Sequence, residues 1–304
     1  MADTTLTAVP TKEKSKGNQV KKTMPLAQMM IYAVLIIGVL FSMIPFLWMV
    51  SWSLMTRPEV VVGRAIPETI QWQNYPQAWV QAEFQSLIWN SVRITAISIG
   101  GLLLFCIPAA YAFARMKFWG RDVLFGVTLA TLMIPDIVTL IPSFLSVVWF
   151  SRLNQSIFGE AGAWLNNWPS LTIPFMASAF TIFLLRQFFA QIPDELWDAA
   201  RIDGASHVDF LIRIVLPLSR APIMTIVTFA FIGSWNSLLW PLIVINGDKW
   251  QPVALGLRNF VSEAGDEFHL QMAASVIMVI PVVLLYFFTQ KQFTEGIYSG
   301  SFKG

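Results

Sequence analysis

The chain has 304 residues, of which 56% are hydrophobic and 12% are charged. Soluble domains carry about 25% charged residues, so half of that charge is too little to cover a water-exposed surface of this size. Twenty basic and eighteen acidic residues leave no strong positive field for nucleic acid. One cysteine and two histidines exclude an internal disulfide framework, an iron–sulfur cluster and a plausible metal site. The class that remains is a polytopic membrane protein.

Six long stretches with almost no formal charge predict six transmembrane helices, because a spanning helix needs about 20 mostly apolar residues. The predicted fold class is therefore an all-α membrane protein. In chain order, the predicted spans are 28–52, 91–113, 123–149, 170–190, 222–245 and 269–290.

The first apolar stretch needs its own interpretation, since it could also be a cleaved signal peptide. A signal peptide has an apolar core of about 7–15 residues and a small-residue cleavage site. The stretch between Lys22 and Arg57 is much longer, and no A-x-A site precedes a polar start. We therefore expect an uncleaved helix. It follows a disordered cytoplasmic tail at 1–23 and opens a six-helix permease domain at 24–293.

The placement of lysine and arginine predicts the orientation in the membrane, because cytoplasmic loops carry an excess of both. With the N-terminus inside, the cytoplasmic segments hold fourteen of these residues and the outer segments hold six. This asymmetry predicts that both termini are cytoplasmic. Three loops then face outward, at about 53–90, 150–169 and 246–268.

The segment 191–221 is too polar to span a membrane and too regular to be a linker. Asp194 follows a proline and is placed to cap a helix, and Gly204 stands where that helix would end in a left-handed residue. Ser206 and Asp209 form a capping pattern for a second helix. Periodicity alone also fits an interfacial amphipathic hairpin without a partner. The expected apolar faces are Leu196, Ala199 and Ala200 in the first helix and Leu211, Ile214, Val215 and Leu218 in the second.

The same segment closely resembles the EAA motif of ABC importer permeases. The resemblance rests on D-A-A-R-I-D-G-A-S at 198–206, on Ile214 ten residues after Gly204, and on the pair Leu216 and Pro217. Asp198 stands where the usual residue is Glu. The chain thus resembles binding-protein-dependent ABC transporter permeases of the carbohydrate-uptake type, as a MalG-like inner-membrane subunit. Other motifs in the same order are Gln73–Asn74–Tyr75, Trp89–Asn90–Ser91, Ala110–Arg115, Met133–Ile134–Pro135, Trp235–Asn236 and Phe302–Lys303–Gly304.

This resemblance implies a type I ABC importer permease fold, in which 191–221 is a coupling loop docked in a groove of a separate ATPase. It also implies that the C-terminal tail at 294–304 contacts the ATPase. The implied coupling residues are Asp198, Ala199, Ala200, Arg201, Asp203, Gly204, Ala205, Ile214, Leu216 and Pro217. The implied tail contacts are Ser299, Gly300, Lys303 and Gly304.

The implied partners are a second homologous permease subunit, two ATPase subunits, an extracytoplasmic solute-binding protein and membrane lipid, without nucleic acid. The chain has no phosphate-cradling G-x-x-x-x-G-K-[ST] motif, so ATP and magnesium would be used by the partner ATPase. We find no Ser–His–Asp or Cys–His arrangement and no catalytic or metal-binding residues. The chain is therefore expected to be a transport subunit, bind no cofactor itself, and lie in a bacterial or archaeal cytoplasmic membrane as a multi-pass protein.

Four residues are candidates for the translocation path. Asp136 lies inside the third predicted span, where an ionisable group is costly and usually faces the bundle interior or water. Its alternative role is to bond backbone groups freed by Pro135. Asn236, between Trp235 and Trp240, suits sugar hydroxyls and aromatic stacking, but could instead hold neighbouring helices together.

The function favoured by these features is half of the translocation path of an ATP-driven importer. Its solute would be a carbohydrate of the disaccharide or oligosaccharide class, and its link to the ATPase would be the EAA-like loop at 194–217. The alternatives are a self-sufficient secondary transporter, an intramembrane enzyme, and a permease for a non-sugar solute such as a glycerol phosphate. We see neither an internal repeat nor paired buried charges, which a secondary transporter usually shows.

Overall fold

The computed structural model describes residues 26–260 and 267–300, with side chains to residue 290. Helices and turns, without a β-strand, make up these ranges, and the expected all-α class is confirmed. The helices of the first half are α1 Leu26–Ser53, α2 Arg57–Val61, α3 Asn74–Gln81, α4 Phe84–Arg115, α5 Arg121–Thr131 and α6 Asp136–Phe158. Those of the second half are α7 Trp168–Thr172, α8 Ala179–Ala190, α9 Asp194–Ile202, α10 His207–Phe210, α11 Leu216–Leu218, α12 Arg220–Trp235, α13 Leu239–Val244, α14 Val253–Gly256 and α15 Phe268–Gly300.

Membrane-crossing candidates account for most of these helices. Two bent pairs bring the possible count to six: one pair joins Trp168–Phe175 to Ala179–Ala190 at 42°, the other His207–Leu218 to Arg220–Trp235 at 79°. The 79° bend separates the second half of the polar loop from the span that follows it. The straight helices that are long and apolar enough to cross a membrane are Leu26–Ser53, Phe84–Arg115, Asp136–Gly162 and Phe268–Gln290.

The third, fourth and fifth predicted spans are not single helices, which corrects the simple reading of 123–149, 170–190 and 222–245. Proline explains the breaks, because it has no N–H to bond the carbonyl four residues earlier. Pro135 lies between the end of α5 at Thr131 and the start of α6, where it is the N-cap residue, and Pro174 lies in a 3₁₀ turn before α8. Pro241 likewise leaves the carbonyl of residue 237 without its helical donor. The interruptions lie at 132–135, 176–178 and 236–238.

Contacts divide the chain into two units, Met1–Leu47 and Trp48–Gly304. In the first unit the structure describes residues 26–47, whose large apolar side chains are exposed on every side of α1. A helix that is apolar all round is typical of a membrane span. The predicted tail at 1–23 lies outside the described residues.

The second unit is organised around α4, which takes part in three buried apolar clusters. Leu102 and Cys106 of α4 pack with Leu185 and Phe189 of α8 and with Phe210. The other two clusters include Phe84 and Ile94 of α4, and they bring in α15 and α13 respectively. Since α4 contributes to all three clusters, it connects one end of this unit to the other.

The segment between α1 and α4 is held by buried polar groups. The amide of Asn74 donates to the carbonyls of Ser53 (2.9 Å) and Met55 (2.8 Å). Glu59 accepts from the Thr56 hydroxyl (2.7 Å), the Thr56 amide (2.8 Å) and the Glu68 amide (2.8 Å). These hydrogen bonds, led by that of the Thr56 hydroxyl, lower the pKa of Glu59 to about 2.

Candidate functional site

The first helix of the 191–221 loop ends as the sequence predicts. Gly204 has φ +80°, a left-handed conformation that glycine adopts without steric cost. The amide of Ala205 donates to the Ala200 carbonyl (2.9 Å), and the amide of Gly204 donates to the Arg201 carbonyl (3.0 Å). These two bonds define a Schellman motif, which satisfies the last carbonyls of α9. The chain therefore reverses at Gly204 within two residues.

The second helix begins with the predicted capping box. The Ser206 hydroxyl accepts from the Asp209 amide (3.2 Å), and the Asp209 carboxylate accepts from the Ser206 amide (3.2 Å). The Ser206 side chain also donates to that carboxylate (2.6 Å), which lowers the pKa of Asp209. Beyond α10, the helix continues as a π-turn over Leu211–Val215, ahead of Pro217, which cannot donate to the Arg213 carbonyl.

The expectation that Asp194 caps α9 is wrong. The N-cap position belongs to Pro193, and Asp194 is already the first helical residue. Its carboxylate instead accepts from the Arg115 guanidinium at 2.8 Å. The Arg115 side chain, at the end of α4, is only 9% exposed and also donates to the Pro193 carbonyl (3.2 Å). The start of α9 is thus fixed to α4.

A second attachment joins the loop to α4 through aromatic rings. The His207 imidazole lies flat against Trp197 of α9, with ring centroids 4.3 Å apart. Its Nδ1 is 2.9 Å from the hydroxyl of Tyr111 on α4. Phe210, fully buried, packs edge-on against Trp197. The inward side of the loop is therefore locked onto α4 and α8.

The outward side of the loop exposes apolar and small residues. Ile202 is 87% exposed, and Val208 is 63% exposed. Because α9 is helical from 194 to 202, Leu196, Ala199 and Ala200 share one face, as predicted. Of the three, Ala200 is buried against the α4–α8 cluster, and Leu196 and Ala199 are exposed. Of the implied coupling residues, those that are exposed are Asp198, Ala199, Arg201, Asp203, Gly204 and Pro217, and those that are partly buried are Ala205, Ile214 and Leu216.

Asp136 opens α6 at the edge of a groove with two neighbouring cavities, of about 460 and 980 Å³. The alternative that its carboxylate bonds backbone freed by Pro135 is wrong for the part of the chain that the structure describes. There, the carboxylate makes no hydrogen bond or ion pair, and it is exposed to the groove. The residues that line both cavities are Asp136, Phe175, Ser178, Phe180, Ser237 and Trp240.

The break that Pro174 causes explains the position of Trp240. Because Pro174 has no N–H, the Ser170 carbonyl lacks a helical donor. The Trp240 indole supplies one, at 2.8 Å, and the Phe175 ring packs edge-on against it at 5.7 Å. The indole is thereby held at the groove, with its donor already satisfied.

The predicted grouping of Trp235, Asn236 and Trp240 does not hold. Trp235 is buried on the α15 side, where its indole donates to the Met278 carbonyl (3.1 Å) and its ring stacks on Phe231. The break at 236–238 turns Trp240 toward α7 instead. Asn236 is exposed at that break and lines neither cavity. Of the four path candidates, the groove brings together Asp136 and Trp240.

Sequence reasoning missed Phe175, Phe180, Ser178 and Ser237 as groove residues. Ser178 carried a usable signal, since its hydroxyl caps α8 by accepting from the Thr181 amide (3.2 Å).

His207 was also missed as an anchor of the loop. Its partner Tyr111 is 96 residues away in the chain, so no local pattern indicates the pair.

The other end of α4 is bound to the segment after α13. The Asn90 amide donates to the carbonyls of Lys249 (3.0 Å) and Gln251 (3.1 Å). The Ser91 hydroxyl accepts from the Val253 amide (2.8 Å). This segment belongs to the predicted outer loop 246–268, of which residues 261–266 lie outside the described part.

The implied tail contacts fall at the limit of the structure. The backbone of α15 includes Ser299 and Gly300, whose side chains are outside the described part, as are Lys303 and Gly304 altogether. Among residues 26–260 and 267–290, no three His, Cys, Asp or Glu side chains lie close enough to hold a metal ion.

Comparison with known proteins gives consistent results. Residues 104–297 match the family model described as binding-protein-dependent transport system inner membrane component. The lactose transport system permease protein LacG of Rhizobium radiobacter is 30% identical over 88% of this chain and 93% of its own length. The glycerol-3-phosphate permease protein UgpE of Yersinia enterocolitica is 33% identical over 88% of this chain and 94% of its own length. A crystal structure of a bacterial ABC transporter that imports alginate contains a chain with the same fold, at a TM-score of 0.75 and 24% identity, covering 93% of this chain and 99% of that chain.

Proposed function

The chain belongs to the family of binding-protein-dependent transport system inner membrane components, and we propose that it forms half of the translocation path of an ATP-driven importer. The sequence resemblance to ABC importer permeases and the type I fold are thereby confirmed. The chain is a transport subunit, and its curated relatives carry the names of permease proteins. Membership of this family argues against a self-sufficient secondary transporter and an intramembrane enzyme.

The observation that carries the proposal is the two-sided loop at 191–221. Its inward side is fixed to α4 by the Arg115–Asp194 pair and by the stack of His207 on Trp197. Its outward side presents Ile202 to solvent, although burying such a side chain would be favourable. The exposed apolar ridge, formed by Ile202 and Val208, stands on this rigid support, an arrangement that suits a docking element that transmits movement. We assign this ridge to the separate ATPase.

The remaining parts of the importer follow from the same proposal. Both termini are cytoplasmic, a second homologous permease completes the path, and two ATPase subunits use ATP and magnesium. A solute-binding protein docks on the outer side, which includes the segment after α13. The C-terminal tail at 294–304 contacts the ATPase.

A carbohydrate of the disaccharide or oligosaccharide class is the proposed solute. The similarity to a lactose permease protein supports it. A glycerol phosphate is the second candidate, and the similarity to UgpE at 33% identity favours it.

Co-purification of the ATPase with the tagged chain tests the docking assignment. Ile202→Glu adds a charge to the exposed ridge, and we expect it to weaken ATPase retention at least about tenfold, because a charge buried in an interface without a partner is costly. Ile66→Glu is the matched control, since Ile66 is 78% exposed in the segment between α1 and α4. Normal ATPase retention and ligand-stimulated hydrolysis by Ile202→Glu would contradict the proposal.

A further inference from the structure

The groove beside α6 carries charge of one sign. Eighteen residues line each of its cavities, all within the described ranges, and Asp136 is the one ionisable side chain among them. No lysine, arginine or histidine lines either cavity. The other polar groups that line both are the hydroxyls of Ser178 and Ser237.

Aromatic rings form the apolar part of the same groove. Phe175 and Phe180 are each about half exposed, at 47% and 49%, and both line the two cavities. Trp240 is buried but lines both cavities, and its N–H is bonded to the Ser170 carbonyl. The residues common to both cavities thus offer apolar ring surface, two hydroxyls and a carboxylate that only accepts hydrogen bonds.

These groups suit an uncharged polyhydroxylated solute and oppose an anion. Hydroxyl groups can donate to the Asp136 carboxylate, and such charge-assisted hydrogen bonds are the stronger kind. A phosphate monoester brings about two negative charges near pH 7 and seeks cationic donors such as arginine. Beside Asp136 it meets a like charge instead, in a cleft whose apolar walls strengthen the field.

We propose, on the basis of the proposed function, that this groove is a charge-selective subsite that admits neutral carbohydrate and repels phosphate esters. Asp136 is the residue that determines this selectivity. Phe175 and Phe180 present ring faces to the apolar C–H surfaces of a sugar. The inference thereby separates the two candidate solutes in favour of the carbohydrate.

Paired thiol reagents measure the charge of the groove directly. In a Cys106→Ala background, which removes the single cysteine, Ser237→Cys places a thiol on the wall that both cavities share. The complete transporter complex is treated with a trimethylammonium or a sulfonate methanethiosulfonate. Each rate is normalised to that of a free thiol in solution. We expect the cationic reagent to react roughly tenfold faster than the anionic one, as a nearby unit negative charge requires.

Two variants make the test specific. Asp136→Asn should bring the ratio at Ser237→Cys close to one. Ser156→Cys is the control thiol, since it lies 20 residues farther along α6, about 30 Å away and beyond the screening length. Its ratio should be the same with and without Asp136→Asn.

Protection experiments then test the solute class with the same thiol. We expect a panel of neutral di- and trisaccharides that includes lactose to slow the modification of Ser237→Cys, and sn-glycerol 3-phosphate to leave it unchanged. The assignment is overturned by equal rates for the two reagents, by protection from the phosphate ester, or by the absence of protection from every saccharide. The same purified sample shows whether an ATPase has co-purified. The absence of an ATPase would count against the proposed importer function, whereas the thiol reactions test the groove assignment alone.

Discussion

Replacing Gly204 with alanine should weaken the coupling between solute uptake and ATP hydrolysis. A Cβ built at this position meets no atom within 4 Å, so within this chain the substitution causes no clash. The cost is the left-handed backbone at φ +80°, which is about 1–2 kcal/mol for a residue with a side chain. A cost of this size changes the population of the native turn by a factor of roughly 5–30.

The assay is ligand-stimulated ATP hydrolysis in proteoliposomes, together with retention of the ATPase during purification. Gly63→Ala is the matched control, because Gly63 has φ +76° and equal free space but lies between α1 and α4. Gly204→Asn should lose less than Gly204→Ala if strain alone acts, since asparagine tolerates the left-handed region. Wild-type behaviour of Gly204→Ala, or an equal loss in Gly63→Ala, would refute the reasoning.

Three further predictions concern other parts of the chain. Arg115→Ala should reduce ligand-stimulated ATP hydrolysis, because it releases Asp194 and the Pro193 carbonyl from α4, whereas Arg115→Lys should retain part of that hydrolysis. Equal activity of the wild type, Arg115→Ala and Arg115→Lys would contradict this prediction. The pKa of Glu59 is lowered from 4.5 to about 2, so the ionised carboxylate stabilises the fold above pH 4.5, and this stabilisation is lost as pH falls toward 2. Limited proteolysis between α1 and α3 should therefore increase over that pH range in the wild type, and the Glu59→Gln variant should lack this pH-dependent increase. In a Cys106→Ala background, Ser206→Cys should label from the cytoplasm and Ile66→Cys from outside, and labelling of both from one side would contradict the topology.

Features encoded within a few residues could be predicted from the sequence. The end of α9 at Gly204 and the capping box at Ser206 and Asp209 depend on groups at most five residues apart. The chemistry of each turn is complete in its own sequence, so tertiary contacts do not override it.

Features that depend on distant partners could not be predicted. Asp194 has the right residue type for a cap, but its partner Arg115 is 79 residues away. Trp235 and Trp240 are close in sequence, yet the break between them directs each to a different helix. The groove was only half predicted for the same reason. The hydroxyls and phenylalanine rings common to its two cavities come from two separate breaks, at 176–178 and 236–238, and the nearby prolines mark each break without indicating which residues it will face.

The attachment of α4 at both ends has a thermodynamic consequence. Asn90 and Tyr111 are 21 residues apart on this one helix, or about 32 Å along its axis. Asn90 holds the segment after α13, and Tyr111 holds the loop that carries α9. If each end has its own protein partner and binding at one end shifts α4 at the other, each partner changes the affinity for the other by the same factor. The ATPase affinity of the complex, measured with and without saturating binding protein, should therefore change as much as the binding-protein affinity does with and without the ATPase.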